Sequence, residues 1–390
     1  MDKVSSADFD VVFEDIDVKL VTEKKQMKKF VEYPLELYKG SPYYIPLLYS
    51  DEMRLFNEKK SNCSDIAKFW FFLAYRGTEI VGRVAAVLVE PYLKKSGRKV
   101  IRFSRIDFID DEKVARALMA AVENVARKEG LDEIQGPMGY ADTDREGLLI
   151  EGFNRPATFA SNYNHEYYRT HIENMGFEKE ADWLEYKLHL PSEPNEKYHR
   201  IATAVAKRYN LREVAVKGSK MRKIITQYGR KVFDTVNEAY APLHGTIPLE
   251  GKVVDDIIKT FCLFIIPEFV SIVVNPEGDV VGFGAVLASI NNELIQSRGK
   301  MNLPTIFKLL HTKKHPKTVE LALIAVKPEY QKKGVNAMVV DKILRGLIEK
   351  GITEAETNLE LETNSAVVSQ WDVLEKDFIK RRRCYIKKLN

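Results

Sequence analysis

Short, nearly continuous runs of apolar and aromatic residues alternate along this chain with longer stretches in which apolar positions recur every three or four residues. The first rhythm predicts buried strands and the second amphipathic helices. Trp70 to Tyr75 predicts a strand, Arg76 to Glu79 a turn, and Ile80 to Val89 the returning strand. The same succession recurs at Phe269 to Val274, Asn275 to Gly278 and Val280 to Leu287. Aromatic and β-branched runs flanking a glycine-containing turn make a β-hairpin. Each hairpin leads to a further strand and then a helix. Val114, Leu118, Met119, Val122 and Val125 share one face over 112–129, as do Met338, Val339, Ile343, Leu344 and Leu347 over 338–350. Gly130 and Gly351 stop these helices. Both stripes are core faces and carry no chemistry. Two copies of strand–strand–strand–helix–strand predict a duplicated α/β fold (α+β, with mixed sheets).

The copies are divided at Pro191-Ser192-Glu193-Pro194, where two prolines interrupt the pattern after the strand-like run Trp183 to Leu190. The predicted domains are therefore 1–190 and 199–390, with 191–198 as linker. A chain of 390 residues holds that many domains, and its 45% hydrophobic and 30% charged content is ordinary for a globular protein. A formal net charge of +4, well mixed, gives no bulk signal for nucleic acid. Cys63, Cys262 and Cys384 are scattered without CxxC or Cys/His spacing, so neither a disulfide framework nor a metal site is expected. The acidic N-terminus lacks a leader's apolar segment, and the most apolar stretch, Phe261 to Val274, is short and contains Pro267. A cytoplasmic protein without a membrane partner is the expectation.

One segment carries specific chemistry. The apolar run Val319 to Val326 enters a turn at Lys327-Pro328, and Gln331-Lys332-Lys333-Gly334 then opens onto the second helix at Val335-Asn336-Ala337. A strand, a glycine loop and a helix N-terminus aim unpaired N–H groups and the helix dipole at one point, as a pyrophosphate site requires. Gly334 admits close backbone approach, and Lys332 and Lys333 add positive charge. An ordinary strand-to-helix connection with solvated lysines reads equally well from spacing alone.

Val326, Pro328, Tyr330, Gln331 and Gly334 together resemble the coenzyme A signature of the GNAT superfamily, V-x-P-x-[YF] followed by [QR]-x-x-G-x-[GA]. Asn336 stands where a second glycine is usual. Downstream, Glu356 to Ala366 resembles the next GNAT strand, with Asn364 at the asparagine that lies near the pantetheine arm. The resemblance covers about 225–390 and implies two tandem GNAT-like domains. In the first copy the corresponding loop, Ile109-Asp110-Asp111-Glu112-Lys113, is acidic and would repel a pyrophosphate, so that copy is degenerate. The arrangement is similar to bacterial tandem-GNAT proteins of unassigned substrate.

The resemblance implies acetyl-CoA or another acyl-CoA as co-substrate, no metal, and a small-molecule or peptide amine as acceptor. Ala325, Val326, Gln331, Lys332, Lys333, Gly334, Val335, Asn336, Ala337 and Asn364 are the expected CoA positions, with the oxyanion donor an N–H near Ala325 or Val326. Glu320 on the central strand is the candidate base; a rim glutamate in an ion pair is the plainer reading. Trp371 occupies the place of the family's acid tyrosine and has no acidic proton to give, which leaves Tyr385 as substitute only if the last strand folds back.

A second cluster, Gly136 to Gly147 with Tyr163 to Tyr168, gathers carboxylates and aromatics in loops. Asp142, Asp144 and Glu146 with Tyr140, Tyr163 and Tyr168 form either an acceptor site for a cationic amine or a structural loop with buried tyrosines. The basic run Lys380 to Arg383, with Lys387 and Lys388, is expected on a solvated strand edge rather than on nucleic acid. Three functions follow from the resemblance: an N-acyltransferase, a catalytically inactive CoA sensor or scaffold, and a Fem-like transferase using aminoacyl-tRNA. Oligomeric state is not legible in the sequence.

Overall fold

The computed structural model describes residues 8–57 and 59–389, which form two compact units. The N-terminal unit comprises Met1–Leu184, Asn291–Thr305 and Lys380–Asn390; the C-terminal unit comprises Glu185–Ile290 and Ile306–Ile379. The chain thus leaves each unit and returns to it, a pattern that the proline break near residue 191 does not reveal.

The N-terminal unit opens with β1 (Val11–Phe13), β2 (Ile16–Leu20), α1 (Lys24–Leu37) and α2 (Tyr49–Leu55). The predicted hairpin follows as β3 (Ala67–Arg76) and β4 (Glu79–Val89), then α3 (Glu90–Ser96), β5 (Val100–Phe108), α4 (Glu112–Lys128), β6 (Glu133–Gly136), β7 (Leu148–Glu151) and α5 (Tyr167–Asn174). The strand β8 (Glu178–His189) runs from this unit into the next. Strands β1 to β6 pair in sequence order, antiparallel except for the parallel β5–β6 pair that α4 connects. The apolar face of α4 packs on this sheet through Val114, Leu118 and Val122, all without exposure.

The C-terminal unit contains α6 (Glu196–Arg208), β9 (Arg212–Glu213), α7 (Met221–Tyr240), α8 (Gly251–Phe264) and the second hairpin, β10 (Ile265–Val274) with β11 (Val280–Ala288). After α9 (Asn291–Ser297), which belongs to the N-terminal unit, and α10 (Leu303–Lys314), which begins there, come β12 (Val319–Val326), α11 (Val335–Glu349), β13 (Glu354–Glu356), β14 (Glu360–Leu361), α12 (Ser365–Gln370) and β15 (Glu375–Lys388), whose residues from Lys380 onward return to the N-terminal unit. Its sheet runs β13-β12-β11-β10-β9, antiparallel except for the β12–β13 pair that α11 connects. Helices α6 and α11 cover one face, and α7 covers the other.

Two glycines show the duplication at atomic level. A Cβ on Gly82 would lie 2.9 Å from Leu118 and 3.0 Å from Val114 of α4. One on Gly282 would lie 3.1 Å from both Val335 and Val339 of α11. Each glycine sits second in its returning strand's Val-Gly step, and each lets the crossover helix lie close on the sheet.

The basic run near the C-terminus departs from expectation. Lys380 and Arg382 are fully buried, not solvated. Lys380 donates to the Pro156 carbonyl at 2.9 Å, and Arg382 donates to Ser161 Oγ at 3.1 Å and to the Asn162 carbonyl. Arg381 and Arg383, on the alternate face, pair with Glu151 at 2.9 Å and Asp182 at 2.8 Å. Strand alternation sends every second cation inward, where backbone carbonyls and the Ser161 hydroxyl accept its hydrogen bonds.

Candidate active site

The site is built where β12 loses its neighbour. β13 pairs with β12 only at Val319↔Ala355 and Glu320↔Glu356. Beyond that point Asn358 donates to the Ala322 carbonyl at 3.3 Å, and no further ladder forms. On the other side, the register with β11 shifts between Ala285↔Leu323 and Val286↔Leu321, so Ala322 bulges. A bulge bends and twists its strand, which widens such a split. As a result Glu320 to Ile324 are only half-buried, although central strands are normally covered on both faces. The equivalent strand of the N-terminal unit, β5, is buried almost throughout.

The open edge of β12 presents backbone donors. Lys327 N–H reaches the Val281 carbonyl at 3.0 Å, which sets the alternation: Ala325 and Lys327 turn to β11, Ile324 and Val326 away from it. In agreement, Tyr240 Oη donates to the Ile324 carbonyl at 3.1 Å and Gln331 Nε2 to the Val326 carbonyl at 3.1 Å. The N–H groups of Ile324 and Val326 therefore face the split. Ala325, expected beside Val326, is buried and paired with Phe283 instead.

The loop after β12 is shaped for an anion. A 3-10 turn at Pro328–Tyr330 reverses the chain, Lys332 adopts φ +58°, and Gly334 at φ +83° precedes the first turn of α11. A side chain at Gly334 would be strained by that φ and would meet Val205 at 2.8 Å. Among the described residues no acceptor takes the N–H groups of Lys332, Gly334, Val335 or Asn336. These donors and the helix dipole are the components of a phosphate site. Gln331, Lys332 and Lys333 are exposed, and Lys333 lies over the rings of Tyr330 at 5.4 Å and Tyr209 at 5.7 Å. Val335 and Ala337 are buried and contribute backbone alone. Asn364 stands at the N-terminus of α12 with no side-chain capping bond.

The N-terminal unit closes the equivalent position with its own carboxylate. Asp111 caps α4, accepting from Lys113 N–H at 2.8 Å and pairing with Arg76 at 2.6 Å. The place of a bound phosphate is taken.

Glu320 lies where β13 leaves β12, with Glu356 as its register partner. Sequence reasoning missed Glu360, which is buried and accepts from Trp371 Nε1 at 2.6 Å. Burial, against the pull of Trp371 and Lys376, pushes its carboxyl up to about 7. Its Oε2 has no hydrogen-bond partner among the described residues. Only the alternation of β14 hinted that this glutamate turns inward.

The remaining expected residues lie in the N-terminal unit and face inward. Tyr385 is fully buried on β15, opposite Gly136, and its hydroxyl donates to Glu173 at 3.0 Å. Tyr168 is fully buried, within 2.9 Å of both Tyr38 Oη and the Phe108 N–H. Tyr140 and Tyr163 are also buried. Asp144 is bound to Arg105 at 3.1 Å, and Arg105 in turn to Glu52 at 2.8 Å. Burial pushes Asp142 up to about 6, against Arg102 and Lys95. Burial and then the charge of Asp142 raise Glu146 well above the carboxylate range. Of the loop's acids Asp144 is paired with Arg105, whereas Glu146 Oε2 has no hydrogen-bond partner among the described residues.

A cavity of about 80 Å³, also unsuspected from sequence, lies in the C-terminal unit under α7 and α8. Ile224, Tyr228, Ile258, Val270 and Phe283 line it, and Leu323 on β12 forms part of its wall.

The site thus combines a split central strand, a bulge and a helix N-terminus whose N–H groups are unclaimed among the described residues. Residues 241–368 match the acetyltransferase (GNAT) family. The chain is a tandem GNAT-fold protein whose second copy carries this domain. Its fold is similar over 96% of the chain, and 98% of the other, to a tandem GNAT protein from the clavulanic acid biosynthesis pathway, at 10% identity and TM-score 0.54. In sequence it is similar to protein YghO of Escherichia coli, 25% identical over 95% of both chains. It is likewise similar to a bacterial ceramide synthase of Caulobacter vibrioides, 24% identical over 83% of both. Among the described residues no helix is long and apolar enough to cross a membrane.

Proposed function

We propose that this protein transfers an acyl group from acyl-CoA to an amine, forming an amide, with the chemistry on β12 of the C-terminal unit. The observation that carries this reading is the set of unclaimed N–H groups at Lys332, Gly334, Val335 and Asn336 beside the open edge of β12. The loop donors hold the pyrophosphate, and the pantetheine arm lies along the split toward Asn364. The thioester carbonyl then meets the N–H of Ile324 or Val326, which stabilises the oxyanion that forms on attack. Glu320, at the head of the split, accepts the proton of the incoming amine, and collapse of the oxyanion breaks the C–S bond and releases CoA as the thiol, which takes up that proton.

The acyl chain or the amine carries a hydrocarbon tail in this proposal, rather than a bare acetyl group meeting a small polar amine. The apolar cavity that reaches Leu323 supports this, as does the likeness to a bacterial ceramide synthase, since a ceramide is an amide of a long-chain amine. A second reading, CoA binding without turnover, is favoured by Trp371, which is buried against Glu360 in the place of a tyrosine. The Fem-like reading draws no support from Lys380 and Arg382, which are buried.

The test is thermal unfolding with acetyl-CoA and with a long-chain acyl-CoA, in wild type and in Gly334→Glu. Ligand at about 100-fold over its Kd adds about 2.7 kcal/mol to the folded state. A shift in wild type that Gly334→Glu abolishes supports the site, and a larger shift with the long chain supports the tail. Release of free thiol on adding a long-chain amine separates transfer from silent binding. No shift with either CoA overturns the proposal.

A further inference from the structure

Helix α10 exposes an apolar stripe that none of the described residues covers. Leu303 is 71% exposed, Phe307 70%, Leu310 56% and Ile306 39%. At about 100° per residue these four share an arc of about 100°, the width of a helix face that ordinarily meets a core. The opposite side does meet one, for Thr305 and Leu309 are buried there. Asn302 caps the helix, accepting from Thr305 N–H at 3.0 Å. The exposed stripe is therefore a formed face, not a frayed end.

Charge identifies what such a face meets. From Leu294 to Val319 the chain has no Asp or Glu, yet it carries Lys300, Lys308, Lys313, Lys314 and Lys317, besides Arg298, which is paired with Glu36. Lys313 and Lys314 follow directly on the stripe, one turn beyond Leu310. Across the whole chain the excess of cations is only +4. Local concentration of positive charge beside an exposed Leu/Ile/Phe stripe is the composition of an interfacial helix. Its apolar side chains enter the headgroup boundary while lysines reach anionic headgroups. A protein partner's groove would accept the stripe without needing this cationic border.

We propose that α10 docks the protein on an anionic membrane surface, with Ile306, Phe307 and Leu310 inserted and Lys314 and Lys317 held at the headgroups. This departs from the sequence expectation of no membrane partner, and it does not depend on the transfer reaction.

The test is sedimentation of the full chain with vesicles of phosphatidylcholine alone or mixed with phosphatidylglycerol. Wild type is expected to bind the mixed vesicles and to dissociate as salt rises. Phe307→Ser with Leu310→Ser lowers partitioning about tenfold or more, and Lys314→Glu with Lys317→Glu does so on mixed vesicles only. In Phe307→Trp, the new indole's emission moves to the blue when mixed vesicles are added. Absence of vesicle binding overturns the proposal, as does binding unchanged by the double serine variant. So does a concentration-dependent dimer that the serine variant dissociates, which would make the face a contact between copies.

Discussion

The indole N–H of Trp371 lies 2.6 Å from a carboxylate oxygen of Glu360, and both residues are buried. This pairing gives the one hydrogen-bond donor of the buried indole a partner. Trp371 packs in the core with Leu188, Val319 and Ala355 and spends its one proton on the glutamate.

The pairing makes a pH prediction. The folded Glu360 carboxyl titrates near about 7, above the ~4.3 of an unfolded glutamate. Between those values the folded state binds the extra proton, so this residue's contribution to stability falls as pH rises and levels off above about 7. Glu360→Gln keeps an acceptor for Trp371 and removes the titration. Chemical denaturation is expected to show the variant more stable than wild type by about 3–4 kcal/mol near pH 8, and nearly equal to it near pH 4.5. A wild-type difference that does not change with pH would place the titration elsewhere.

Removing the donor instead has the opposite sign. Trp371→Phe keeps most of the packing but leaves the buried Glu360 carboxyl without its donor. A loss of about 1–3 kcal/mol is expected at neutral pH, shrinking in acid as the carboxyl protonates.

Gly284 tests how closely α11 packs on the sheet. A Cβ there would lie 2.6 Å from Val339 and 2.7 Å from Ile343, both on α11. Gly284→Ala must push α11 away from the sheet, at about 1–3 kcal/mol of stability. Because α11 carries the loop's N–H groups at its first turn, acyl-CoA affinity measured by calorimetry should fall as well. Unchanged affinity would show that the loop holds its shape without the helix.

The two copies predict one ligand per chain. Asp111 fills the helix N-terminus of the first unit, so calorimetric titration should saturate at one acyl-CoA per protein. Asp111→Ala should cost about 1 kcal/mol as a lost cap without adding a second site.

Arg382 tests the buried cation run. Its guanidinium serves Ser161 and the Asn162 carbonyl inside the N-terminal unit. Arg382→Ala should destabilise by about 2–4 kcal/mol in equilibrium unfolding, because it leaves both a void and unpaired polar groups. Binding of single-stranded RNA should stay negligible at physiological salt in both proteins. Salt-dependent binding lost in the variant would restore a surface role.

The sequence by itself determined what depends on neighbours along the chain. The hairpins β3–β4 and β10–β11, the stripes of α4 and α11, and the loop ending at Gly334 follow from local periodicity and from a backbone conformation that glycine adopts most easily. The acid loop at Asp111 was readable for the same reason, since its carboxylate acts two residues away. Tertiary structure alone decided which charges are buried and which strand is open. Lys380 and Arg382 look solvated until alternation on a covered strand turns them inward. Glu360 titrates near neutrality because burial outweighs the hydrogen bond that Trp371, eleven residues further on, donates to it. The split at Glu320 depends on where β13 stops, and the exposed face of α10 on what fails to cover it. Burial is a sum over residues distant in sequence, so no local pattern encodes it.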